Sequence, residues 1–131
     1  MIVGGNCSIT GFDFEGEERF WTVSGDNVKP LEFLDFNGDG KEELVAGSDD
    51  FAIRVFKGEE IIQDIPEKAK IIQISKISGC AFGYALQNGA YGVYNGKKKL
   101  WKSKNKDLVT SICGVDLDLF GNKQKLLFVG F

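Results

Sequence analysis

LVAGSDDFAIRVFKGEEIIQ, residues 44–63, contains the pattern that decides the fold. It has small and apolar residues at Val45-Ala46-Gly47, a strand-like run at Ile53-Arg54-Val55-Phe56, a turn glycine at Gly58 and a further long side chain at Gln63. Two other copies are Val3-Gly4-Gly5 with Gly11-Phe12-Asp13-Phe14, Gly16 and Trp21, and Gly83-Tyr84-Ala85 with Tyr91-Gly92-Val93-Tyr94, Gly96 and Trp101. The copies start near Met1, Leu44 and Phe82, and a fourth begins at Leu126. A period of about 40 residues is typical of four-stranded propeller blades.

The rest of the chain supports an all-β fold, because short β-rich runs alternate with Gly, Asn and Asp turns. We predict strands near 1–5, 8–14, 18–24, 30–36, 43–48, 51–57, 60–65, 70–77, 81–87, 90–95, 98–102, 108–117 and 125–130. Alternating residues in Ile71–Ile77 predict one buried and one wetter face. We expect residues 1–131 to form one partial β-propeller, WD40-like or FG-GAP-like, of about three four-stranded antiparallel blades. Closed propellers have roughly four to eight blades, so we expect the chain to be a piece of a longer protein.

The charges divide sharply along the chain. Residues 1–66 carry 15 acidic and 5 basic side chains, a net charge of −10, whereas residues 67–131 carry 4 acidic and 11 basic ones, a net charge of +7. Complementary halves and unpaired strand edges both favour association between copies. We therefore expect the chain to self-associate.

The most recognisable local motif is Asp35-Phe36-Asn37-Gly38-Asp39-Gly40-Lys41-Glu42-Glu43. The groups that could bind calcium here are the side chains of Asp35, Asn37, Asp39 and Glu43 and the carbonyl of Lys41. An EF-hand would need a closing acid at residue 46, which is alanine, so that loop type is excluded. The alternative is a metal-free turn in which the aspartates accept backbone hydrogen bonds. The related segments 75–80 and 116–125 have lost some or all of the acids, which favours the metal-free turn.

A basic run near the third copy is a second candidate site, for an anionic partner. Its lysines surround Trp101 and are Lys97, Lys98, Lys99, Lys102, Lys104 and Lys106. Lysines beside an aromatic residue could bind phosphates of nucleic acid or lipid headgroups. The run has no arginine, however, and lysine is common on exposed edge strands. We therefore favour a solvated edge or a protein-contact face, with no nucleic-acid binding and only indirect membrane contact.

Catalysis has little support in the sequence. There is no histidine, and many of the acids occur as adjacent pairs whose side chains point to opposite faces of a strand. The three cysteines, Cys7, Cys80 and Cys113, have no metal-ligand spacing, and their odd number predicts buried free thiols. We predict that the chain is not an enzyme and needs no cofactor, apart from the candidate calcium ion.

A resemblance to a known family rests on a series of short motifs. They are Gly4-Gly5-Asn6-Cys7, Gly11-Phe12, Glu15-Gly16, Phe20-Trp21-Thr22-Val23, Gly25-Asp26-Asn27-Val28, Asp35-Phe36-Asn37-Gly38-Asp39-Gly40-Lys41, Glu43-Leu44, Gly47-Ser48, Asp50-Phe51, Ile53-Arg54-Val55-Phe56-Lys57, Phe82-Gly83-Tyr84-Ala85-Leu86, Asn88-Gly89 and Gly92-Val93-Tyr94. Together they resemble the middle region of the Bardet-Biedl syndrome 2 family, subunits of the ciliary BBSome coat. The motifs are densest through Lys57 and loose after Lys97.

The resemblance implies a non-enzymatic scaffold that takes part in ciliogenesis and in protein transport, where it helps to move membrane proteins into and out of the cilium. It implies contacts with the Bardet-Biedl syndrome 7 and 9 proteins, cargo tails and a small Arf-like GTPase. The implied location is the cytoplasm, the cilium and the ciliary base. The alternative is an integrin-like calcium-loop propeller for adhesion or sensing, which would favour paired cysteines and several intact acidic loops.

Overall fold

The computed structural model describes residues 1–119 and 121–131, apart from the side chains of residues 118, 119, 122 and 123. The strands are β1 (Ile2–Gly4), β2 (Ser8–Phe12), β3 (Glu18–Val23), β4 (Val28–Leu34), β5 (Glu43–Ser48), β6 (Ala52–Lys57), β7 (Glu60–Pro66), β8 (Ile71–Ser78), β9 (Ala81–Leu86), β10 (Ala90–Asn95), β11 (Lys98–Lys104), β12 (Ser111–Leu119) and β13 (Asn122–Gly130). Each strand lies close to a predicted one. The described residues contain no helix that could cross a membrane.

In the part of the chain that the structure describes, the strands form four antiparallel sheets in chain order. Two sheets have four strands, β4–β7 and β8–β11, while β1–β3 form a three-stranded sheet and β12–β13 a two-stranded one. The first strands of successive sheets, β4, β8 and β12, pack on one another. Successive meanders joined in this way are the arrangement of propeller blades.

The sheets are out of phase with the sequence repeat. Copies of the sequence repeat begin at Leu44, Phe82 and Leu126. These three residues lie in β5, β9 and β13, which are the second strands of their sheets. Each of these sheets therefore begins one strand earlier than the repeat suggests. The turn glycines Gly16, Gly58 and Gly96 do occupy equivalent hairpins, with φ of 83°, 61° and 59°. Positive φ is the conformation that glycine adopts without a steric cost, which explains why the repeat keeps it.

Strand β5 is buried along its whole length because it separates two apolar clusters. Val45 faces a cluster shared with the β8–β11 sheet, including Phe82 and Tyr84. Leu44 and Ala46 point the other way, into a cluster with Ile9 of the first sheet. Successive side chains of a strand alternate between faces, so one short strand serves two interfaces.

The first strands of successive sheets, β4, β8 and β12, are also linked by a hydrogen bond that occurs twice. The backbone N–H of Lys76 in β8 donates to Glu32 Oε2 of β4 at 3.1 Å. One sheet further on, the N–H of Gly114 in β12 donates to Ser75 Oγ of β8 at 2.9 Å. A side chain of one sheet thus binds a backbone group of the next.

Two expectations about burial are wrong. Strand β8 buries Ile71, Ile74 and Ile77, which are three residues apart, because its register with β9 shifts at both ends of the strand. The cysteines are free, but Cys7 and Cys113 are exposed and Cys80 is half-buried. Cys7 is exposed and lies at a bend between β1 and β2, where its φ is 61°, and not in the apolar core.

Candidate functional site: an acidic loop and a lysine-rich edge

The acidic motif forms the connection between β4 and β5. This loop spans residues 35–42, whereas the equivalent connection between β8 and β9 contains only Gly79 and Cys80. Gly38 and Gly40 have φ of 77° and 82° and allow the chain to turn twice within the loop. The loop is therefore an extension that the neighbouring sheet lacks.

Asp35 organises the loop by accepting hydrogen bonds from its backbone. Its Oδ1 accepts from the N–H groups of Gly38 and Asp39 at 2.9 and 3.0 Å, and its Oδ2 accepts from Gly40 at 2.9 Å. Each carboxylate oxygen has two lone pairs, so at least part of its acceptor capacity remains for another group. These bonds fix the carboxylate at the centre of the loop.

The remaining predicted ligands lie in or next to the same turn. Asn37 Oδ1 accepts from the Asp39 N–H at 3.2 Å, and the Lys41 N–H donates to Asp39 Oδ1 at 2.9 Å. Glu43, the first residue of β5, is 2% exposed, and its Oε2 accepts from the Phe36 N–H at 2.9 Å. Carboxylate oxygens of Asp35, Asp39 and Glu43 all lie within 4.8 Å of one another. The structure therefore brings three acids together at this loop.

Asp39 is held in its ionised form. The hydrogen bond from the Lys41 backbone, supported by the Lys57 ammonium at 3.6 Å from Oδ2, keeps the pKa of Asp39 below its ordinary value. Calcium requires deprotonated carboxylates, so this state suits a cation. Lys57 itself would compete with such an ion for Asp39.

The segment 116–125, which was named as a related loop, differs in backbone as well as in sequence. Residues 116–119 and 122–125 are paired strand residues of β12 and β13, with Asp116 opposite Lys125. Most of the predicted loop is therefore strand, since pairing continues to Leu119 opposite Asn122. Phe120 and the side chain of Asp118 lie outside the described residues.

The lysine-rich run lies at the outer edge of the β8–β11 sheet, where β11 follows β10. All seven residues of β11 are exposed, as are Lys97 and Lys106 on either side. Two of the predicted lysines are engaged within the chain: Lys99 Nζ lies 3.2 Å from Glu67 Oε1, and Lys102 Nζ lies 3.5 Å from Glu67 Oε2. The exposed lysines that remain for a partner include Lys97, Lys98, Lys104 and Lys106.

Glu67 is the centre of a charged cluster that the sequence did not predict. Its side chain is 1% exposed, and besides the two lysines it accepts a hydrogen bond from the Tyr94 hydroxyl. Burial opposes ionisation, but the Tyr94 hydroxyl and the ammonium groups of Lys99 and Lys102 outweigh it and hold the pKa of Glu67 below its ordinary value. Burial beside this carboxylate raises the pKa of Tyr94. Lys99 also lies over the Tyr94 ring, 5.5 Å from its centroid.

A β-bulge explains why this cluster was missed. On a regular strand, Lys99 and Lys102 would point to opposite faces. Lys99 pairs with Tyr94 and Lys102 pairs with Gly92, because the register between β10 and β11 shifts after Val93. Residues 92 and 94 share a face, so the extra residue in β11 brings both lysines to the same side.

The structure is similar to solved propeller-containing chains. It matches the structure titled "Crystal structure of BBS1N in complex with ARL6DN, soaked with mercury", with a TM-score of 0.79, 13% identity, and coverage of 98% of this chain and 39% of the other. The lead-soaked form of that complex gives a TM-score of 0.75, with 13% identity, 98% of this chain and 42% of the other. These likenesses define the class: the chain is part of a β-propeller.

Sequence comparison then identifies the family. The chain belongs to the family described as "Ciliary BBSome complex subunit 2, middle region", whose sequence model matches residues 30–131. It is 48% identical over 120 residues to "BBSome complex member BBS2" of Homo sapiens and 47% identical over 120 residues to that of Danio rerio, covering 92% of this chain and 17% of each relative. It is 41% identical over 112 residues to "BBSome complex member bbs-2" of Caenorhabditis elegans, covering 86% of this chain and 16% of that relative. The predicted family and fold are thus confirmed, and the chain spans about a sixth of the length of these relatives.

Proposed function

We propose that this chain is part of the propeller of a BBSome coat subunit that acts as a non-catalytic scaffold in the transport of ciliary membrane proteins. Its membership of the ciliary subunit 2 family carries the proposal. Propellers commonly present binding surfaces, and the outermost strands β3, β7 and β11 are largely exposed here. The proposed partners are other coat subunits, including the Bardet-Biedl syndrome 7 and 9 proteins, together with ciliary cargo and a small Arf-like GTPase. The proposed sites of action are the cytoplasm, the cilium and the ciliary base.

Within this role, the lysine-rich edge is the surface proposed to meet an acidic partner protein. Lys98 and Lys104 lie at the two ends of β11, and both are exposed. Lys99 and Lys102 are less available, because Glu67 neutralises part of their charge. Exposed lysines along one edge attract an acidic surface and discourage pairing with another strand.

A pull-down from ciliated cells tests both parts of the proposal. The bait is the full-length protein that carries this chain, purified with and without a calcium chelator and analysed by mass spectrometry. The wild type should recover a stable set of coat subunits whether or not the chelator is present. Lys98→Glu or Lys104→Glu should reduce at least one of them, whereas Lys68→Glu, an exposed lysine outside the edge, should not.

The outcomes separate the two claims. A wild-type bait that recovers no coat subunits would overturn the scaffold role. Normal recovery by Lys98→Glu and Lys104→Glu would overturn only the role of the lysine-rich edge. The adhesion alternative is not proposed, because family membership accounts for the chain without it.

A further inference from the structure

Among the residues that the structure describes, one buried carboxylate oxygen at the acidic loop has no hydrogen-bond partner. Glu43 is 2% exposed, and its Oε2 is satisfied by the Phe36 N–H. Its Oε1 is buried and has no hydrogen-bond donor in the described part of the chain. Burying a charged oxygen without a partner is costly unless a cation or a donor compensates for it. This oxygen belongs to the carboxylate that closes the acidic cluster.

The spacing of the acids suits a calcium ion. Two oxygens that bind calcium at about 2.6 Å lie at most about 5.2 Å apart. The ligand atoms of Asp35, Asp39 and Glu43 lie within 4.8 Å of one another, which is inside that limit. Three carboxylates this close repel one another in the absence of a cation, and the repulsion is strongest where water is excluded.

The loop also holds its acids in place before any ion arrives. Three backbone N–H groups fix Asp35, and the Lys41 N–H fixes Asp39. Glu43 is fixed by Phe36 at the start of a fully buried strand. Ligands that are already ordered lose little further conformational entropy on binding.

We propose that the loop spanning residues 35–43 binds one calcium ion. The carboxylates of Asp35, Asp39 and Glu43 supply its charged ligands. The Asn37 side chain and the Lys41 carbonyl are the neutral oxygens in the same turn that complete the shell. This inference goes beyond the scaffold role and does not depend on it.

Direct binding of calcium is the test. Equilibrium dialysis of the chain against radioactive calcium should give one ion per chain, and excess magnesium should compete weakly. Glu43→Gln and Asp39→Asn should each lower the affinity at least about tenfold, because calcium affinity depends on the number of charged ligands. Glu18→Gln, an exposed acid in the β1–β3 sheet, is the matched control and should bind like the wild type.

Thermal unfolding provides a second measurement. Calcium at ten times the wild-type Kd should raise the Tm of the wild type by roughly 4–8 °C, and the two loop variants should lose most of that shift at the same calcium concentration. Asp39→Asn keeps an oxygen for the Lys41 N–H on an exposed residue, so it should fold even if Glu43→Gln does not.

Two results would overturn the proposal. One is a folded wild type that binds no calcium at about 1 mM, the weakest range of protein calcium sites. The other is equal calcium binding by the wild type and Asp39→Asn, which would place the ion elsewhere. Neither result bears on coat membership, because the pull-down measures partners and the dialysis measures the ion.

Discussion

Replacing Glu67 should destabilise the chain more than replacing any exposed acid. The Glu67 side chain is 1% exposed and interacts with the Tyr94 hydroxyl, Lys99 and Lys102. A hydrogen bond to a charged group contributes about 1.5–3 kcal/mol. The side chains of Lys99 and Lys102 are 40% and 30% exposed, so solvent screening limits each ion pair to at most about 1 kcal/mol. Glu67→Ala should therefore lower the free energy of unfolding by about 3 kcal/mol, and Glu67→Gln by about 1–2 kcal/mol, because Gln keeps an acceptor for Tyr94.

A double-mutant cycle, measured by urea denaturation, gives the interaction free energy between Glu67 and Tyr94. Tyr94→Phe removes the hydroxyl and keeps the ring between Phe82 and Tyr84, whose centroids lie 5.5 and 5.0 Å away. The free-energy changes of Glu67→Ala and Tyr94→Phe should differ from additivity by at least about 1 kcal/mol, because each substitution alone removes the hydrogen bond that the two side chains share. Glu18→Gln, which replaces an exposed acid, should change stability by less than about 0.5 kcal/mol.

One result would refute the reasoning. If Glu67→Ala and Tyr94→Phe add within about 0.3 kcal/mol, the two side chains do not interact in solution. The contribution assigned to the Tyr94 hydroxyl in the Glu67 cluster would then be wrong.

Three further predictions concern the pH dependence of the Glu67 cluster, the packing of Gly47 and the effect of Lys57 on calcium binding. The pKa of Glu67 is lower in the folded chain than its unfolded value of 4.5, so the carboxylate stabilises the fold above pH 4.5 and loses that effect as the pH falls through the folded pKa. Urea denaturation between about pH 5 and 2 should show the loss of stability, and Glu67→Gln should make the loss smaller. Gly47→Ala should cost about 1–3 kcal/mol and lower the Tm, because a Cβ there would lie 2.5 Å from Cγ2 of the fully buried Ile71; an unchanged Tm would contradict this packing. Lys57→Gln should raise calcium affinity in dialysis by about two- to fivefold, because it removes a competing cation 3.6 Å from Asp39; weaker binding would contradict that role.

The strands could be predicted because their signals are local. Gly58 and Gly96 mark hairpins through a backbone requirement that no other residue type meets as easily, and the apolar runs beside them follow directly. The phase of the sheets could not be predicted in this way. The repeat is conspicuous in the second to fourth strands of each sheet, whereas β4 and β8 share little sequence, so the sequence repeat begins at Leu44 and Phe82, one strand late.

The candidate site was predicted where it depends on consecutive residues and missed where it depends on register. Asp35, Asp39 and Glu43 lie within one turn, so their spacing indicates that they meet. Glu67 meets Lys99 and Lys102 only because a bulge in β11 changes the face of the later lysine. A bulge adds one residue to one strand, and that addition has no clear signature in the alternation of apolar and polar residues.

The acidic loop contacts both its own sheet and the next one, and this bears on how it would bind an ion. Lys76 of β8 connects the next sheet to this region, because its N–H donates to Glu32 of β4 and its ammonium lies 3.1 Å from Glu42 in the loop. Within the loop's own sheet, Lys57 of β6 pairs with Asp39. A loop tied to two sheets cannot rearrange freely around a cation, so its carboxylates must already be close to their binding positions. That requirement agrees with the buried Glu43, whose Oε2 already accepts a hydrogen bond from the Phe36 N–H.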